Sequence, residues 1–354
     1  MNNMLLEKYI KEFLNEGRND QNIFKSVIVL GPAGVGKSTA IRKIIGGTGL
    51  KYLNSDQFLE IDIQKDIDSM KDKESWDKAR WMNSPEKADQ LATLRKKAGK
   101  LNDKRMAGFI KNRLGIVIEG TASSEKSYEW FHNELITPLK NIGYDILVVG
   151  IYAPIHVCMQ RNRNRGASGG RQIATSTMQS IFYGFIDEYY EIITKASGDL
   201  YEAVTILNTE FDDVSKKKIS NYVHMINHPN TVAKSKKKVL KRLNDFITNN
   251  VPDYITKVAA QDPDITGDQL TEMLVEFLKS KKEIRNCMAS LRIYQDMIDH
   301  NDKEQSLLRD SVEINSLDKI MRPFLEKNKK ENIQKFDAQY PRLPLDKDKE
   351  EKEI

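Results

Sequence analysis

The sequence predicts an α/β fold, with a mainly parallel sheet of about five strands flanked by helices, followed by an all-helical C-terminal domain. Three observations predict it. Short apolar, β-branched runs alternate with stretches of helical spacing, the pattern of parallel strands joined by crossover helices. A glycine-rich loop stands between the first strand and the helix after it. From about Ile226 onward the strand signal ceases and helical spacing takes over.

The strands come first. Ser26-Val27-Ile28-Val29-Leu30 is a continuous apolar run ended by Gly31, which reads as a strand buried on both faces. Comparable runs lie at Gly115–Glu119, Tyr144–Tyr152 and Ala203–Asn208, with a shorter one at Lys51–Leu53. Helical stretches separate them at Thr39–Ile45, Lys87–Leu114, Lys126–Ile142 and Thr175–Lys195. In the last of these, Phe185, Tyr189 and Tyr190 have the spacing of residues packed against the sheet. The segment 58–114 is longer than one crossover needs. Trp76 and Trp81 punctuate its charged sequence, and it predicts a helical insertion over one end of the sheet. Farther on, Thr266-Gly267-Asp268-Gln269 has capping-box spacing just before Leu270, Met273, Leu274, Phe277 and Leu278, which share one helix face.

Composition narrows the function classes. The chain has 354 residues, 39% hydrophobic and 30% charged, with a mean hydropathy of -0.57. That supports a sizeable core, yet no run approaches the roughly 18 apolar residues of a membrane span. Cys158 and Cys287 are the only cysteines and have no metal-ligand spacing. Neither a disulfide framework nor a zinc site is expected, and a reducing, cytoplasmic setting is the default. The net charge of +5 is a small difference between 56 basic and 51 acidic residues, so a dedicated nucleic-acid binder is not favoured. The basic stretch Lys234, Lys236, Lys237, Lys238, Lys241 and Arg242 could track phosphates, but it lacks interleaved aromatics for base stacking. The region 226–354 carries 24 basic and 23 acidic residues at helical spacing, a surface suited to a protein partner.

The chemistry is carried by Gly31-Pro32-Ala33-Gly34-Val35-Gly36-Lys37-Ser38, with Thr39 next, a complete G-x-x-x-x-G-K-[ST] string between a strand and a helix. Glycines let successive backbone N–H groups curl toward phosphate oxygens, and the helix opening at Lys37 adds its positive end. The Lys37 ammonium bridges the β- and γ-phosphates of ATP in such loops, and the Ser38 hydroxyl takes one position on Mg²⁺. The domain expectation is therefore an N-terminal helix over 1–22, carried by Leu5, Tyr9 and Phe13, and a P-loop kinase domain over 23–225. A helical domain over 226–340 and a disordered tail over 341–354 complete it.

Two carboxylates accompany the loop. Asp56 follows the second strand, and Glu119 ends the strand Gly115–Glu119. Strands of a parallel sheet end along one edge, where ligands sit, so both carboxylates reach the space beyond the γ-phosphate. One can accept the proton of an attacking hydroxyl, and the other can fix the acceptor or hold water on Mg²⁺. Beyond them, Arg161, Arg163, Arg165 and Arg171 are interrupted by Gly166, Gly169 and Gly170, which reads as a mobile cationic lid over 161–171. Arg161 and Arg165 fall on one helix face, and Arg163 points away. Guanidinium groups suit the charge on a transferring phosphoryl.

With Leu53-Asn54-Ser55-Asp56-Gln57-Phe58 and Val117-Ile118-Glu119-Gly120-Thr121 added to the P-loop, the stretch from Ile23 to Asp213 resembles the zeta-toxin group of P-loop kinases, relatives of polynucleotide kinase. The resemblance implies ATP and Mg²⁺ as cofactors, Asp56 as the base, and Glu119 and Thr121 as holders of the acceptor. It further implies Arg165 and Arg171 as stabilisers of transition-state charge. A small hydroxyl-bearing acceptor is implied, such as the nucleotide sugar UDP-N-acetylglucosamine. A 5′-hydroxyl of a polynucleotide is the alternative acceptor, and a non-catalytic ATP-binding assembly module is the alternative to an enzyme.

Overall fold

The computed structural model describes residues 22–46, 48–123, 129–168, 172–197, 199–210 and 213–339. The N-terminal helix expected over 1–22 falls outside them but for residue 22, as does the tail expected over 341–354.

One sheet of six strands, every pair parallel, organises the chain: β1 (Lys25–Leu30), β2 (Lys51–Leu53), β3 (Ile116–Gly120), β4 (Asp145–Tyr152), β5 (Glu202–Leu207) and β6 (Val312–Glu313), in the order β2-β3-β1-β4-β5-β6. Five were expected. The sixth pairs Val312 and Glu313 with Ile206 and Leu207 of β5. Two residues carry no alternation of their own, so this strand is made by its pairing and not by a local pattern. β1 is central and buried throughout, as its uninterrupted apolar run requires. Parallel register brings the carboxyl ends together, with Leu30 opposite Gly120 and Gly150, and Leu53 opposite Ile118.

The first helix, α1 (Lys37–Ile45), follows the glycine loop. The insertion between β2 and β3 holds α2 (Ser55–Asp68), α3 (Lys78–Asn83) and α4 (Ala88–Lys111). It has its own core, in which Ile63 and Trp81 are fully buried among Leu59, Ile67, Leu91 and Ala98. Asp66 ties that core together, accepting hydrogen bonds from Trp81 Nε1 at 2.7 Å, Lys87 Nζ at 2.9 Å and Gln90 Nε2 at 2.7 Å. Burial pushes the Asp66 carboxyl upward, but the donors from Lys87, Trp81 and Gln90 outweigh it and hold it below the usual carboxylate range. Its folded pKa is thus depressed relative to an unfolded value near ~3.9. The stability it lends is complete above that value and is lost as pH falls through the folded pKa. Acid titration of tryptophan fluorescence should therefore show the insertion loosening below about pH 4, and Asp66→Asn should flatten that dependence.

After β3, a π turn at Phe131–Ile136 leads into α5 (Thr137–Asn141), where one regular helix was expected. Pro138 lacks the N–H that an α-turn would aim at the carbonyl of residue 134, and the turn before it widens. Next come α6 (Ile155–Ala167) and α7 (Thr175–Thr194). On α7, Tyr189 and Phe185 stack and are fully buried against the sheet, as their spacing predicts. The Tyr189 hydroxyl accepts the Gly150 N–H at 3.0 Å and donates to Val204 O at 2.7 Å.

The chain divides into two compact units, one reaching Glu210 and resuming at Asp310, the other lying between them. These bounds differ from the expected break at 225/226, and residues 310–339 belong with the sheet. Lys25 shows why. Its side chain is 1% exposed, and Nζ donates to Asp145 Oδ2 at 2.7 Å, to Phe324 O at 2.9 Å and to Lys327 O. It thereby straps α13 (Leu317–Glu326) to the first strand, while Asn328 and Asn332, beside and within α14 (Lys329–Gln339), donate to Asp145.

The second unit is helical: α8 (Asp213–Asn227), α9 (Pro229–Gln261), α10 (Gly267–Ser280), α11 (Lys282–Asp299) and α12 (Asn301–Arg309). The capping box forms as its sequence predicts, with Thr266 and Gln269 bonded reciprocally. Yet no residue of α10 is buried, and Phe277 instead stacks on Tyr254 with ring centroids 4.0 Å apart. Among the described residues no helix is long and apolar enough to cross a membrane.

Candidate functional site

The glycine loop leaves β1 at Leu30 and enters α1 at Lys37. Gly34 and Gly36 take φ of 80° and 96°, the left-handed region where a Cβ is strained. Space forbids it as well. A Cβ on Gly34 would stand 2.6 Å from Cys158 O, and one on Gly36 would stand 2.3 Å from Asn208 Nδ2 and 2.7 Å from Arg161 Nη1. The loop is gripped from behind, where Arg161 donates to Gly34 O at 3.2 Å and Asn208 donates to Val35 O at 2.8 Å. These two contacts fix the carbonyls of Gly34 and Val35, and so hold the loop in one conformation, as an anion-binding loop requires.

At the same edge opens a cleft of about 800 Å³. Its lining includes Ala33, Gly34, Gly36, Lys37 and Ser38 of the loop, Asp56 of α2, Glu119 and Thr121 at the end of β3, and Arg161 and Arg165 of α6. The two carboxylates and two of the three arginines expected at the site thus share one cavity with the loop. Gly31, Pro32 and Val35 are buried beneath it, and Thr39 lies on the first turn of α1. Arg163 hydrogen-bonds Gln160 and does not line the cleft, consistent with its expected direction. Arg171, with Gly169 and Gly170, lies outside the described residues. Arg161 faces the cleft, but its guanidinium is committed to Gly34 O and Glu210 O.

Lys37 folds back over its own loop, donating to Gly31 O at 2.7 Å and Pro32 O at 3.2 Å, with Glu119 Oε1 3.9 Å away. Burial pushes its ammonium below the ordinary lysine value, and Glu119 opposes the shift. A polyanion arriving at the loop would favour the charged form further. Asp56 is exposed in the first turn of α2, and its N–H is accepted by the Asn54 side chain at 2.8 Å. The helix cap is thus Asn54, which leaves the Asp56 carboxylate free of that duty.

Other polar residues at the site escape pattern reading. Asn208 is fully buried at the end of β5; it holds the loop and accepts the N–H of Glu210. Its position at a strand's carboxyl end was the available signal. Asn162 bonds both polar groups of Ile173, receiving its N–H at 2.9 Å and donating to its O at 2.7 Å, which ties α6 to the residues just before α7. Nothing in an Arg-Asn-Arg-Asn string distinguishes this asparagine from its neighbour.

A glycine loop of this form between β1 and α1, on a parallel sheet with β3 and β4 flanking β1, defines a P-loop nucleotide-binding protein of kinase-like architecture. Residues 27–181 match the AAA_33 family model, an AAA domain, a stretch running from β1 into α7. One solved structure similar to the chain, described as a "putative kinase" from Chloroflexus aurantiacus j-10-fl, is 14% identical, with a TM-score of 0.34, covering 57% of this chain and 97% of its own. No curated protein matches the chain.

Proposed function

We propose that this chain is an ATP-dependent kinase that moves the γ-phosphoryl group to a hydroxyl of a small molecule. A nucleotide sugar such as UDP-N-acetylglucosamine is the acceptor class suggested by its resemblance to zeta toxins. The observation that carries the reading is the convergence of Lys37, Asp56, Glu119 and Arg165 on one cleft beside the P-loop. One acid would serve hydrolysis equally well. A second carboxylate, and an insertion that walls the cleft with Glu60, Lys78, Met82 and Asn102, speak for a second substrate.

In this reaction the loop N–H groups and the α1 N-terminus hold the phosphates, and Lys37 exchanges Gly31 O and Pro32 O for phosphate oxygens. The Ser38 hydroxyl and Glu119 carboxylate are hard oxygen donors on the cleft wall, a set that fits Mg²⁺ carried in on a nucleotide. Held there, Mg²⁺ would supply neutralisation of the nucleotide's phosphate charge. Asp56 takes the proton of the acceptor hydroxyl as its oxygen bonds to the γ-phosphorus, and the bond to the bridging oxygen breaks to leave ADP. Thr121 orients the acceptor, and Arg165 stabilises charge on the transferring group. Arg171 joins it by resemblance alone. The segment 161–171, expected as a lid, would keep water from competing.

The test is a screen with γ-labelled ATP against pooled sugar nucleotides, nucleosides and 5′-hydroxyl oligonucleotides. Label on a small-molecule hydroxyl is the expected result. Label on oligonucleotides alone would move the acceptor to nucleic acid, and release of free phosphate with every pool would overturn transfer.

A further inference from the structure

The carboxylate of Glu119 is held from two sides. Tyr52, on β2, donates its hydroxyl to Oε2, and Lys37 Nζ lies 3.9 Å from Oε1. The Tyr52 hydroxyl in turn accepts Asn54 Nδ2 at 2.8 Å, and Asn54 Oδ1 accepts the N–H of Asp56 at 2.8 Å. An unbroken string of polar contacts therefore runs from the first turn of α2, which bears Asp56, through Asn54, Tyr52 and Glu119 to the P-loop lysine. Glu119 enters it through its carboxylate, and Asp56 through its backbone N–H. Its geometry follows from the sheet: β2 pairs with β3 with Tyr52 opposite Val117, so a phenol on β2 spans to the end of the neighbouring strand. A phenol is protonated at neutral pH and a carboxylate only accepts, so Tyr52 is the donor of this pair. A carboxylate with one oxygen so occupied loses the freedom to turn about its last bond.

We propose that Tyr52 is a positioning residue of the active site: its hydroxyl, itself fixed by Asn54, takes one oxygen of Glu119 and keeps the other turned toward Lys37 and the cleft. This rests on the kinase reading of the cleft. Nothing about packing alone calls for the hydroxyl, because a phenylalanine would fill the same volume. Its contribution lies in holding Glu119 ready before substrates arrive, which is where supporting hydrogen bonds act on catalysis.

The experiment compares turnover of γ-labelled Mg·ATP by the full chain, with the acceptor found by screening or with water where none is found. The variants are Tyr52→Phe, Glu119→Gln and the double substitution. Tyr52→Phe is expected to lower kcat by about 10–100-fold with little change in KM for ATP. In the Glu119→Gln background the same change should cost less than about threefold, because the two residues act as one unit. Asn54→Asp keeps an oxygen for the Asp56 N–H but removes the donor to Tyr52, so a smaller loss of the same kind is expected. It covers the case in which Tyr52→Phe folds poorly. A Tyr52→Phe enzyme with wild-type kcat, or an equal loss with and without Glu119, overturns the positioning role. A wild-type chain that turns over no ATP overturns the kinase reading itself, and the positioning role with it.

Discussion

With Asp56 as the proposed base, replacing it by asparagine should slow phosphoryl transfer by about 10²–10⁴-fold while ATP still binds. The structure makes this substitution unusually clean. Asp56 is exposed, and the cap of α2 is supplied by Asn54, so the helix keeps its capping bond. What the fold loses is the attraction between one carboxylate and a helix N-terminus, about 0.3–1 kcal/mol. Thermal unfolding should thus barely move while single-turnover transfer collapses. Equal transfer by wild type and variant to an identified acceptor would remove Asp56 from the chemistry and leave the P-loop without a base.

Lys25→Ala costs the sheet-bearing unit about 3–5 kcal/mol, the usual result when one partner of a buried ion pair is deleted. The lysine side chain is 1% exposed and Asp145 16%, so the pair sits largely out of water. Burial pushes the lysine down and Asp145 opposes this; on Asp145 itself, burial pushes up and Lys25 prevails. The deletion strands Asp145 and also releases the carbonyls of Phe324 and Lys327. A double change, Lys25→Met with Asp145→Leu, removes both charges and should lose less than Lys25→Ala alone. Urea midpoints followed by a probe in the sheet measure both. If Lys25→Ala unfolds at the wild-type midpoint, the strap is ornamental.

Much of the fold is legible because it is local. Runs such as Ser26–Leu30 and Tyr144–Tyr152 announce buried strands by themselves, and the P-loop string needs only its strand and helix for context. Even the meeting of Asp56 with Glu119 could be anticipated, because parallel strands end along one edge. The rest depends on partners distant in sequence. β6 is two residues long and exists by pairing with β5. A lysine opening a strand gives no hint that it will be buried, and the apolar face of α10 looks like core but leaves Met273 44% exposed. Tyr52, Asn162 and Asn208 owe their roles to what lies across from them, which no spacing rule encodes.

Lys25 and Phe324 are 299 residues apart, and that distance is also a delay. At about 5–20 residues per second on the ribosome, the carbonyl acceptors of Lys25 follow it by roughly 15–60 s. Every cleft-lining residue has been synthesised by Ile173, and the intervening helices emerge before β6. During that interval β5 is the unguarded margin of the nascent sheet, open to strands of other chains. A transcript cut short before codon 310 would therefore yield a nucleotide-binding loop on an unfinished and aggregation-prone platform.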